Sequence, residues 1–110
     1  GRGAINRLPV PNDLPTNIHL GQQGKHILGH NNFDPKRSPL TANPDDLLAG
    51  VHGGQYPIVR TDLRGNPVAD FGSDIGSYVQ QGQAGVPTRY GTIHYGKNGA
   101  HVVPANPNIN

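Results

Sequence analysis

The 110-residue chain contains no cysteine, methionine, tryptophan or glutamate. Without cysteine there is no disulfide framework, no thiolate metal site and no thiol nucleophile. The seven acidic residues are all aspartate, which excludes HExxH zinc chemistry and any glutamate general base. Aromatics amount to four Tyr and two Phe, too scattered for the stacking platform of an RNA-recognition sheet. No apolar run approaches the roughly 18 residues of a membrane-spanning helix, and no secretory signal pattern opens the chain. No GxxxxGK[ST] phosphate loop and no GxSxG nucleophile elbow occur. The missing Met, even at residue 1, sets the expectation of a module cut from a longer protein.

What remains is glycine, proline and histidine. Sixteen Gly and eleven Pro make up about a quarter of the chain, and hydrophobic residues only 33%. One thin, loop-rich domain is expected rather than a helical bundle. The formal net charge is +2, which tolerates a polyanionic partner without demanding one.

Residues 1–17, with three Pro and no periodicity, read as a linker or extended lead-in, followed by one domain over 18–110. Residues 22–28 suit two helical turns ending near Gly29, or else a turn and short strand. NPDDLLAG, residues 43–50, is the clearest helix. Asn43 caps the first amides, Pro44 fits the first turn, Asp45 and Asp46 favour its positive end, and Gly50 stands just past its C-terminus. Short strands are expected at 56–61, 68–70 and 75–79, with RGNP at 64–67 as a turn and QQGQAG at 80–85 as a loop. The fold class is α+β: N-terminal helices against a small antiparallel sheet ending in a hairpin over 89–104.

That hairpin is the best-specified element. Its strands, 89–95 and 100–103, flank Lys97-Asn98-Gly99, and an Asn98-Gly99 loop of type I′ is expected. The expected register sets Tyr95 against Val102, and His94 against Val103. Thr92, His94 and His101 then share one face, with the two imidazoles diagonal. Ile93, Tyr95, Ala100 and Val102 share the other, which reads as core.

With neither Glu nor Cys, proton transfer near neutral pH falls to the six His, at 19, 26, 30, 52, 94 and 101. Two chemistries compete. His26 and His30, four apart on a helix, would present two metal ligands on one face, but Gly29 weakens that helix and a third ligand must come from afar. RNA cleavage without metal needs a base for the 2′-hydroxyl, an acid for the leaving 5′-oxygen and cations for the phosphorane. His26 and His94 would serve as base and acid, in either order. Lys25, Arg37 and Thr92 would hold the phosphate, with His30, Ser38 and His101 as further candidates. Neither cofactor nor resident metal is then expected. The alternatives are a non-enzymatic binding module of a secreted or phage structural protein, whose His are hydrogen-bonded spacers, and a metal-dependent DNase.

Three ordered segments, GQQGKHILGHNNFDPKRSPL, VADFGSDIGSYV and RYGTIHYGKNGAHVVPA, resemble the bacterial polymorphic toxin type 50 domain over about residues 18–105. The most specific parts are KHIxGHNNF, RSPL and GxIHYxxxGxHxVP. The resemblance implies a ribonuclease toxin of the barnase–EndoU–colicin–RelE group, acting on RNA such as tRNA. It further implies the C-terminal module of a secreted or surface-displayed protein, as in contact-dependent growth inhibition. Such a module acts in the target-cell cytoplasm and is neutralised by a cognate immunity protein, for which an acidic binding surface is expected. Lys25 and His26 match the family's KH pair. His30, Arg37 and Ser38 match the polar positions that follow, and Thr92, His94 and His101 the hairpin. Gly96 departs from the pattern, where Ser is common after IHY.

Overall fold

A computed structural model of the chain describes residues 14–108. Most of the expected lead-in, 1–17, lies outside them. Its last residue, Asn17, belongs to the fold, because its carbonyl accepts the Ala100 N–H at 2.8 Å.

The chain turns first through a single-turn helix, α1 (Leu20–Gln23), and then a 3-10 turn (Gly24–His26). The helix expected over 22–28 is therefore shorter and shifted, since Ile27 is already extended. The next helix, α2 (Pro44–His52), starts where its chemistry dictates. Asn43 Oδ1 accepts the N–H groups of Asp45 and Asp46 at 2.9 and 3.3 Å. It runs through Gly50 and is capped by Gly53 instead. Gly50 has a packing role: a Cβ there would lie 2.3 Å from the Tyr56 ring. Leu47, Leu48 and Val51 form the helix's buried stripe.

Four antiparallel strands form the main sheet in the order β1 (Ile58–Thr61), β2 (Pro67–Asp70), β5 (Tyr90–Gly96), β6 (Gly99–Pro104). A second sheet pairs β3 (Gly76–Tyr78) with β4 (Val86–Thr88). The domain is thus α+β, as expected, with β4 as an additional strand. One face of the main sheet is core: Ile58, Ala69, Ile93, Ala100 and Val102 pack with Ile18, Leu40, Phe71, Ile75 and the stripe of α2.

β6 is an edge strand, which invites pairing with other chains unless covered. Asn17 and His19 bond its Ala100. Gln23, fully buried, donates from Nε2 to the Val102 carbonyl at 2.9 Å and accepts the Val102 N–H at 2.7 Å. One amide side chain thus completes the ladder that a further strand would have made. This bond pair docks α1 and the 3-10 turn beside the hairpin, and so positions the site.

The hairpin register differs from the expected one. Gly96 pairs with Gly99, Tyr95 with Ala100, and His94 with His101. The loop is Lys97-Asn98, and no non-glycine residue takes a positive φ among the described residues. Type I′ geometry would require that at both loop positions. The positive φ falls on Gly99 instead, at 134°, where a Cβ would meet Asn17 and the His19 amide within about 3 Å. Moving the loop by one residue shifts both strands together and keeps every side chain on its expected face. His94 and His101 therefore stand directly opposite rather than diagonal.

Candidate functional site

Away from the core, the main sheet presents a second face. Val68 pairs with Thr92, Thr92 with Val103, and Arg60 with Val68. These four make one transverse row, and His94 and His101 make the next. The His94 and His101 rings stack with centroids 4.8 Å apart and planes 13° apart. His26, carried in by the 3-10 turn, stacks on His101 at 6.0 Å and 20°. The hairpin's two imidazoles and a third from the N-terminal 3-10 turn thus form one column, with His101 between its neighbours.

Each ring has a distinct environment. His26 is 3% exposed. Its Nδ1–H donates to the Ser38 carbonyl at 2.9 Å. A carbonyl only accepts, so the proton sits on Nδ1 and the neutral ring keeps its lone pair on Nε2. Burial lowers the proton affinity of His26, the Ser38 bond offsets part of that, and Arg37, His94 and Lys25 lower it further. His94 is lowered by burial, opposed by the Asp62 carboxylate and lowered again by Arg64. His101 is pushed down to about 4 by burial and then by its two imidazole neighbours. Stacked imidazoles disfavour simultaneous protonation.

The other sequence-derived candidates divide. Lys25 and Arg37 lie close enough to act electrostatically on His26. Arg37 is exposed and paired with Asp34 at 3.2 Å. Thr92, buried, sits in the row beside the His pair. Ser38 is buried, its carbonyl holding His26 and its hydroxyl accepting the Val79 N–H at 2.8 Å. This anchors the 25–40 loop to the end of β3. His30 stands apart: its Nδ1 accepts the Asn32 N–H, and its ring lies where a Cβ on Gly24 would be. The helix face expected to align His26 with His30 does not form, because the chain leaves helical geometry at Ile27. Among the described residues no three His or Asp side chains gather in a metal-ligating arrangement. His19 caps α1, and His52 shares a 2.6 Å hydrogen bond with the Tyr95 hydroxyl.

One cavity is lined by His94 and His101 themselves, and a second by the row beside them. The first, about 330 Å³, opens toward the hairpin tip between His19, Gln22 and Lys97. The second, about 530 Å³, lies over the neighbouring row and includes Arg60, Asp62, Tyr78 and Thr92. Sequence reasoning missed Arg60, Asp62 and Tyr78. A β-bulge between Ile58 and Arg60 turns Arg60 to the face opposite Ile58, and no local pattern announces it. Asp62 could have been found as the carboxylate just after a strand, but nothing in the sequence places it beside His94.

This is a bacterial toxin domain. Residues 18–104 match the family model described as bacterial toxin 50, and the chain belongs to that family. No curated protein matches the chain.

Proposed function

We propose that this toxin domain is a metal-independent endoribonuclease that cleaves RNA by transesterification to a 2′,3′-cyclic phosphate. The observation that carries the reading is the stacked column of His26, His101 and His94, with one cavity lined by His94 and His101 and a second over the neighbouring row. His26 is the base: its Nε2 lone pair takes the 2′-hydroxyl proton, and its low proton affinity keeps it neutral. The 2′-oxygen bonds to phosphorus and the bond to the 5′-oxygen breaks. His94, next to Asp62, gives its proton to that leaving oxygen. Lys25, Arg37 and the Thr92 hydroxyl balance the charge developing on the phosphorane. His101 stays neutral between them, so the column carries one positive charge rather than two, the state that acid/base work requires.

The same reading assigns the fold to the barnase/EndoU-like ribonucleases. It makes the domain the C-terminal effector of a secreted or surface-displayed protein, delivered into the cytoplasm of a target bacterium and held in check by an immunity protein with an acidic surface. Among the described residues no helix is long and apolar enough to cross a membrane. The test is brief induction of the domain inside bacteria without a partner protein, followed by sequencing of RNA ends. Growth arrest with new 2′,3′-cyclic phosphate ends, both absent for His94→Ala, is expected. Unchanged RNA ends during arrest would refute the ribonuclease reading, and fragmented DNA would replace it with a DNase.

A further inference from the structure

Arg60 lines the larger cavity beside the His column. Arg60 Nε is buried without a hydrogen-bond partner, the single such side-chain atom among the described residues. Another guanidinium nitrogen, Nη2, donates to the Asn106 carbonyl at 3.0 Å. No carboxylate forms an ion pair with Arg60 among the described residues. A buried donor left unmade is costly in a folded protein, and bulges characteristically re-aim side chains near functional sites. Here the bulge in β1 sets Arg60 opposite Val68 and so places it in the row with Thr92. The other walls are largely apolar, formed by Leu63, Val68, Val103 and Pro104 with the Tyr78 ring. The volume, about 530 Å³, falls within the range of small-molecule sites, roughly 300–1,000 Å³. Asp62 supplies the one acidic group on the wall. Its oxygens accept from the Arg64 and Asn66 amides and from Asn66 Nδ2, which leaves acceptor capacity on the carboxylate.

We propose that this cavity binds a guanine base of the RNA next to the scissile phosphate. An apolar slot with one aromatic wall suits a flat base, which stacks on such rings. A guanidinium donor selects an acceptor edge, and arginine pairs best with the O6/N7 edge of guanine. The remaining Oδ2 lone pair of Asp62, in the same cavity, accepts the N1–H of a keto purine, a donor that adenine does not present there. A bare phosphate fits less well, because the Asp62 charge would repel it. The neighbouring position of the Thr92 row and the His94–His101 row sets the base one step from the reacting phosphate. The proposal rests on the ribonuclease reading for its choice of a nucleic-acid ligand, but it is testable without catalysis.

The probes are the four 2′-deoxynucleoside 5′-monophosphates, which lack the attacking hydroxyl and share the same phosphate. Each is titrated into ¹⁵N-labelled protein, wild type and Arg60→Lys. The guanine nucleotide should shift the amides of Tyr78, Thr92 and Val103 and bind at least about tenfold more tightly than the other three. Arg60→Lys keeps the charge, loses the planar fork and should abolish the preference. Tyr78→Leu should weaken the guanine nucleotide while leaving the fold's amide spectrum intact. Equal binding of all four, or guanine-induced shifts confined to the hairpin tip, would overturn the proposal. Selective guanine binding by a protein that cuts no RNA would sink the ribonuclease reading and leave the cavity assignment standing.

Discussion

The chemistry proposed for this toxin domain depends on two imidazoles whose protonation states differ. His26 is kept neutral by burial and by its cationic and imidazole neighbours, against the Ser38 carbonyl, which fixes the proton on Nδ1 but raises the ring's proton affinity. Replacing either His26 or His94 with Ala should cost about 10²–10⁴ in kcat/KM on RNA. Both rings hold protons less tightly than an ordinary imidazole at 6.5. A base must be unprotonated and an acid protonated, so the product of the two fractions peaks between their pKa values. The kcat/KM optimum should therefore fall below pH 6.5, and a maximum at pH 8 would remove the pair as assigned. His94 and His101 were legible as face-sharing residues from the period of two along the hairpin. Their direct opposition was not, because Lys97-Asn98 rather than Asn98-Gly99 forms the loop. His26 was named from the sequence as acid or base with His94 and as one of the KH pair. Its place in the column comes from tertiary contacts that no local spacing encodes.

At the scale of elements, the site exists because a four-residue helix and a 3-10 turn are tied to an edge strand by one side chain. Gln23 answers both the N–H and the carbonyl of Val102. Gln23→Leu keeps the volume but strands both groups, at a cost of about 1–3 kcal/mol for each. A lower urea midpoint measures it. The same variant should lose RNA cleavage as His26 drifts from the column, even where the protein stays folded. An unchanged midpoint would show that water answers Val102 equally well. The helix at 44–52 was readable from Asn43, Pro44 and the two Asp, whose roles are local. Its end was misread because Gly50 resembles a terminator, whereas the Tyr56 ring needs that space. Gln23 gave no signal at all. A glutamine in a polar run looks solvated, and its burial follows from an edge strand far along the chain. The bulge that turns Arg60 toward the larger cavity was invisible for the same reason.

For the molecule as a whole, histidine dominates the response to acid. His26, His52, His94 and His101 all have proton affinities lowered in the fold, chiefly by burial. Between an unfolded value near 6.5 and the lowered folded values, about 4 for His101, the unfolded chain binds more protons, so stability falls as pH drops through that window. Asp34 and Asp62, with carboxyl pKa values held below 3.8, add losses below it in the same direction. The melting temperature should fall steadily from pH 7 to pH 4, and His101→Gln should flatten the slope. A profile unaffected by that substitution would mean the column opens to water on acidification. The thin core and the Gly- and Pro-rich loops were predictable from composition, and the α+β class from the strand and helix signals together. The measurement that bears most directly on the account is RNA cleavage by purified protein in excess chelator, comparing wild type with His26→Ala and His94→Ala. The account predicts full wild-type activity with 2′,3′-cyclic phosphate products and near-complete loss in both variants. Wild-type activity that vanishes with chelator, or variants that cut as fast as wild type, would contradict it.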